Sequence, residues 1–179
     1  MRKIMRVWLA VILALVFWSA VGYALTMEQG TNGFNRTLQD YIKDYVDIPE
    51  GAIDWRTIGK TREINVEGKD KDGYDFQYYK PDFPPEIQAL NGKEIKIKGF
   101  MFPLDPTDNQ TWFLFGPFPI NCPYQYHVGP SLVLEAHADD HPVKFSYDPI
   151  ILTGTLELVP LDTENQVFYR LRNARQIKE

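Results

Sequence analysis

With 24 acidic against 19 basic side chains in 179 residues, the chain carries a formal charge of −5, and such a surface repels phosphate backbones and anionic lipid heads. Nucleic acid is therefore not an expected ligand, and a cation or a basic partner is favoured. The single cysteine, Cys122, excludes an internal disulfide, so packing must hold the fold, for which an aromatic content of 14% is ample.

Arg2, Lys3 and Arg6 precede an apolar run from Val7 to Trp18, and small residues follow, ending in Gly22-Tyr23-Ala24. A basic start, an apolar middle and small residues two apart describe a secretory signal peptide over residues 1–24. The cut is expected after Ala24 and the product in the periplasm. The alternative is an N-terminal anchor facing the periplasm, because the apolar run to Tyr23 approaches the ~17–25 residues of a spanning helix. Trp18, Ser19 and Gly22 weaken that span, and the lack of a cysteine at the cut argues against a lipoprotein. The signal holds three basic and no acidic residues, so residues 25–179 keep 16 basic against 24 acidic, a charge of −8. That length suffices for one domain with its own core.

Residues 25–84 are expected to form a helix and an irregular segment that pack on a barrel built from residues 85–179. Phe34, Leu38, Tyr41, Ile42 and Tyr45 mark one face of a helix, Asn35, Arg36, Gln39, Asp40, Lys43 and Asp44 the other, and Pro49 its end. From Gly51 to Lys80 no regular element is expected, with Trp55, Tyr78 and Tyr79 as anchors and Glu67 to Asp75 as a charged loop. Pro84-Pro85 opens a helical turn through Glu86, Ile87 and Leu90.

After the Asn91-Gly92 turn, Lys93 to Phe100 alternates strictly and predicts a strand. Thr111 to Phe115 predicts a second, covered on both faces because it is apolar throughout. Ser131 to Ala136 predicts a third, with Leu132 and Leu134 on one side. Pro149 to Val159 is a long strand with Gly154 as its bulge or bend. Val167 to Ile177 closes the series, Val167, Tyr169, Leu171 and Asn173 alternating against Phe168, Arg170 and Arg172. Five strands with bends at glycines predict a mainly β chain, a five-stranded OB-fold-like barrel with an N-terminal helical segment.

Leu90-Asn91-Gly92-Lys93, then Ile95, Ile97, Gly99-Phe100 and Pro103-Leu104, resemble the opening of the domain of unknown function 3299 (DUF3299) family of small exported bacterial proteins. Ile53-Asp54-Trp55 is similar to that family's Trp-containing lead-in. Phe113-Leu114, Cys122, His127-Val128 and Pro130 resemble its cysteine–histidine–proline segment, and Pro149, Gly154-Thr155-Leu156 and Tyr169 its closing strands. The match runs over residues 53–177. It departs in two places: Pro123 to Tyr126 separate the Cys and His more widely, and the following proline run is reduced to Pro130. The resemblance implies an exported OB-like protein, some relatives of which accompany metal-uptake transporters, and implies no catalytic activity.

Two segments carry candidate chemistry. In Ile120 to His127, Cys122 and His127 offer a thiolate and an imidazole, ligands suited to zinc or copper. The same pair could instead be structural or a nucleophile and its base, for which no orienting third group is evident. In His137-Ala138-Asp139-Asp140-His141, the histidines would meet across one helical turn and the carboxylates would favour a cation. The strand-like flanks point rather to a hairpin turn of solvated residues. Phe100, Phe102, Trp112, Phe113, Phe115 and Phe118 concentrate on the first two strands. OB-folds stack bases or sugars on such residues, but the negative charge disfavours bases, and core packing is expected.

The expected function is that of a non-enzymatic periplasmic binding or accessory protein, one that handles a transition metal or assists a membrane transporter. Two other classes stay open. One is a structural partner of a membrane-associated envelope assembly, docking through Thr111–Phe115 and the amphipathic helix. The other is a thiol-dependent enzyme built on Cys122.

Overall fold

The computed structural model describes residues 37–121, 128–163 and 165–178, all within one compact unit, Thr37–Glu179. The signal segment, its cut and the first turn of the expected helix lie outside the described residues. Among the described residues no helix is long and apolar enough to cross a membrane.

Chain order begins with helix α1 (Leu38–Ile42). The Asp40 carboxylate accepts from both the backbone N–H and the hydroxyl of Thr37, each at 2.8 Å, which fixes the first turn. Ile42 and Val46 are buried, with Leu38, Tyr41 and Tyr45 packed against the core, so the predicted apolar face is the one that docks. Helix α2 (Trp55–Ile58) follows, its first turn capped by the Asp54 carboxylate on the Arg56 N–H at 2.8 Å. Trp55 and Ile58 are buried, and the Trp55 indole donates to the Lys98 carbonyl at 2.6 Å.

The stretch expected to be irregular is instead a hairpin, β1 (Arg62–Lys69) against β2 (Asp75–Asp82). Ile64 and Val66 share a face with Tyr78 and Phe76, whose rings stack at 5.5 Å. The turn is set by Asp70, whose Oδ1 accepts from the N–H of Asp72 and Tyr74, and by Gly73 at φ +85°. Charged cross-strand pairs, Arg62 with Asp82 and Lys69 with Asp75, mask the alternation. Helix α3 (Pro85–Gln88) then forms where the paired prolines predict it, with Pro85 in the first turn.

The core is a closed barrel of β3 (Glu94–Pro103), β5 (Trp112–Gly116), β6 (Leu134–His137), β9 (Tyr169–Ile177) and β8 (Ile150–Leu158), in the order β3-β5-β6-β9-β8. Its neighbours are antiparallel except for β6 and β9, which run parallel. This is a five-stranded OB-like barrel, as the alternation predicts. Strand β3 pairs with β8 as far as Gly99 and with β5 from Phe100 onward. At the switch Phe100 and Met101 are both buried, so the alternation breaks there. A Cβ on Gly99 would sit 2.6 Å from the Gly116 carbonyl oxygen, so the bend needs glycine.

Four expectations are corrected in detail. β5 is fully covered on one face only: Phe113 and Phe115 are in the core, while on the other face Leu114 is half-buried and Trp112 is 44% exposed, because strand alternation sends an apolar run to both faces. Pro130–Leu132 is a 3-10 turn ahead of β6 rather than part of the strand, since the Glu63 carboxylate takes the Ser131 N–H at 3.0 Å and its hydroxyl at 2.6 Å. The His137–His141 stretch is no hairpin. β6 pairs with β5, and β7 (Val143–Lys144) pairs with β4 (Asn109–Gln110) just upstream of β5. Residues 138–142 are thus an excursion in a chain that resumes the same direction. Finally, the bulge lies opposite Gly154. Thr153 pairs with Arg175 and Thr155 with Arg172, so the extra residue belongs to β9, where Asn173 has φ +50°. That insertion buries Ala174 and exposes Asn173, ending the predicted alternation.

Candidate functional site

The outer face of β5, β6, β9 and β8 carries the described polar chemistry. Register places Leu114, Glu135, Arg170 and Glu157 in one row across the four strands, and Trp112 beside His137 in the next. Because strand side chains alternate, these outward positions are independent of the apolar set inside.

Glu135 is the centre of the row and only 3% exposed. Its Oε1 accepts from Arg170 Nε at 3.0 Å and lies 2.5 Å from His137 Nε2. Arg170 reaches further with Nη2, which donates to Asp162 Oδ2 at 2.6 Å. Asp162 comes from the loop joining β8 to β9, and its Oδ1 also accepts from the Asn165 N–H at 2.8 Å. Arg172 Nε donates to Glu157 Oε2 at 2.5 Å, and this bond holds the Glu157 carboxyl below the usual carboxylate range against the opposing effect of burial. A buried charge is tolerated when paired and hydrogen-bonded, and the network supplies both for Glu135. The Trp112 ring stands 6.5 Å from the His137 ring at 32°, and leaves much of its indole open to solvent.

The predicted site residues are distributed differently. Cys122 and His127 lie outside the described residues, which stop at Asn121 and resume at Val128. His137 ends β6 and is engaged by Glu135, whereas His141 is exposed in the 138–142 excursion, its N–H donating to the Ala138 carbonyl at 3.0 Å. Among the described residues no group of three or more His, Cys, Asp or Glu side chains could hold a metal ion. Of the aromatic concentration, Phe100, Phe113, Phe115 and Phe118 are core residues as expected, Phe102 packs partly against them, and Trp112 is the exception. Sequence inspection overlooks Glu135, Glu157 and Asp162 as site residues. The available signal was Glu135 within the apolar run Leu132–Ala136, and Arg170 and Arg172 alternating on the last strand.

No family model matches the chain, and no curated protein matches it. Among solved structures it resembles the crystal structure of a DUF3299 family protein from Pseudomonas aeruginosa PAO1 at 21% identity and a TM-score of 0.42, over 52% of this chain and 66%, just under two thirds, of that one.

Proposed function

We propose that this chain is an exported, non-enzymatic binding or accessory protein whose ligand docks on the outer face formed by β5, β6, β9 and β8. One observation carries the proposal: Trp112 is held open to solvent beside a charged network whose members already bond one another. OB barrels bind their ligands on the second and third strands and the loops beside them, which here are β5, β6 and the loops 104–111 and 159–168. The carboxylates and guanidiniums are locked in mutual ion pairs, which suits a rigid recognition surface better than proton transfer. Export rests on the segment 1–24.

The test is a two-dimensional amide NMR titration of residues 25–179 with soluble envelope components: glycan fragments, peptides and metal ions. Shifts clustered on Trp112, Glu135, His137 and Arg170 support the proposal, and shifts confined to other surfaces overturn it. N-terminal sequencing of the periplasmic protein checks export, with Leu25 as the expected first residue. Retention of Met1 in the membrane fraction would replace export by anchoring.

A further inference from the structure

The chemistry of the Trp112 face narrows its ligand. Across the face, Glu135, Glu157 and Asp162 stand against Arg170 and Arg172, with His137 between them. Formal charge there is −1 with His137 neutral and zero with it protonated, and residues 25–179 carry −8 overall. A polyanion would find neither an unpaired cation nor an attractive field, and a polycation would have to compete with the guanidiniums for the same carboxylates.

What remains exposed is part of the Trp112 indole and a set of planar hydrogen-bonding groups. Glu157 and Arg172 are about two-fifths exposed at the β8–β9 side. An arginine offers five N–H donors in a fixed fork and a carboxylate about four lone-pair sites, so their mutual bond leaves both with capacity to spare. Two inter-strand steps of about 4.8 Å separate Trp112 on β5 from Arg172 on β9, and three separate it from Glu157 on β8, so Trp112 and the pair stand roughly 10–14 Å apart. That span is longer than a single pyranose ring.

We infer that the ligand of this face is a neutral oligosaccharide, an inference that rests on the binding face proposed above. One sugar ring lays its C–H face on the Trp112 indole, and vicinal hydroxyls further along donate to Glu157 and accept from Arg172. Both contacts use groups already fixed in place, His137 beside the indole and the ion pair beside the hydroxyls, so little side-chain freedom is lost on binding. Of the two ligand classes that OB barrels take, oligonucleotides and oligosaccharides, charge admits the second.

Residues 25–179 contain two tryptophans, buried Trp55 and exposed Trp112, so intrinsic fluorescence reads this face against a silent internal reference. The probes are tetrasaccharides of N-acetylglucosamine, glucose in β-1,4 and glucose in α-1,4 linkage, with a sulfated glycan and an oligothymidylate as anionic controls. Saturable binding of a neutral tetrasaccharide is expected, weakened about tenfold or more in Trp112→Ala, as for loss of an aromatic stacking partner, and less in Trp112→Phe. Arg172→Gln should weaken it without moving the Trp112 emission of the free protein. The affinity should change little between about 50 mM and about 500 mM salt, since no charges are screened. Silence across the neutral panel, or preference for an anionic probe with steep salt dependence, overturns the oligosaccharide. If NMR shifts from a peptide then cluster on Trp112 and Glu135, the binding face stands and only the ligand class falls. Saccharide binding indifferent to Trp112→Ala removes both.

Discussion

Gly154→Ala should destabilise the barrel sharply, although the change adds one methyl group in a strand. The new Cβ would lie 2.7 Å from the Arg172 carbonyl oxygen, 3.0 Å from Leu171 Cγ and 3.2 Å from Ala174 Cα. Two of those neighbours are backbone atoms of the β9 bulge, so relief requires moving the strand rather than turning a side chain. Overpacking of this kind costs about 1–3 kcal/mol, and the backbone contacts place Gly154→Ala at about 2 kcal/mol or above. For a domain of this size each 1 kcal/mol moves Tm by about 2–4 °C, so a drop of about 4–8 °C is expected, and a larger one for Gly154→Val. The assay is urea and thermal unfolding followed by far-ultraviolet circular dichroism, with Asp140→Ala as the control on the exposed 138–142 excursion, where the change should stay within about 0.5 kcal/mol. An unchanged m-value would show that the loss is one of stability and not of a more compact denatured state. Equal midpoints for Gly154→Ala and Asp140→Ala would refute the close approach of β8 to the bulge.

Tyr169→Phe removes a buried hydroxyl that donates to the Ile58 carbonyl at 2.9 Å and shares a 2.5 Å bond with Thr61, at a cost of about 1–3 kcal/mol from the partners left unsatisfied. Burial raises the Tyr169 pKa above the ordinary tyrosine value, so the folded state holds its proton longer than the unfolded state. Its stabilising effect is fully present below the unfolded value of about 10 and declines as pH rises from there towards the folded pKa; pH-dependent urea midpoints should show a shallower alkaline decline in Tyr169→Phe than in wild type. Arg170→Met leaves Glu135 buried without its guanidinium and should cost about 3 kcal/mol, with part recovered in the double variant Glu135→Gln/Arg170→Met; a fully additive cycle would deny the coupling. If Cys122 and His127 bind zinc or copper, Cys122→Ser should abolish stoichiometric metal and His127→Ala should weaken it, with affinity falling as pH drops through about 6.5. Metal-free wild type, purified without a metal-binding tag and with a melt unmoved by chelator or zinc, ends the metal hypothesis.

Alternation and turn chemistry made much of the fold legible in the sequence. Ile95 and Ile97 between lysines, the glycines at 99 and 154, and the long runs to Val159 and Ile177 specify strands whose apolar sides must close on one another, because period two sorts each strand into two faces before any partner is chosen. The docking face of α1 and the proline-led α3 were legible for the same local reason. Partner choice and register were not. Nothing local distinguishes Trp112 from Phe113: only pairing with Phe100–Pro103 on one side and Leu134–His137 on the other puts Phe113 inside and Trp112 outside. The β1–β2 hairpin escaped notice because its apolar residues are interleaved with charges that pair only across the strands. The site is a tertiary product throughout. Glu135, Glu157, Asp162 and Arg170 come from two different strands, a loop and a third strand, and the parallel pairing of β6 with β9 brings Glu135 and Arg170 into register. Local patterning thus determines where the strands run and which residues share a face, while the long-range ladder decides which face of an apolar run is buried and which polar groups meet, since a hydrogen bond between side chains 35 residues apart leaves no periodic trace in the chain.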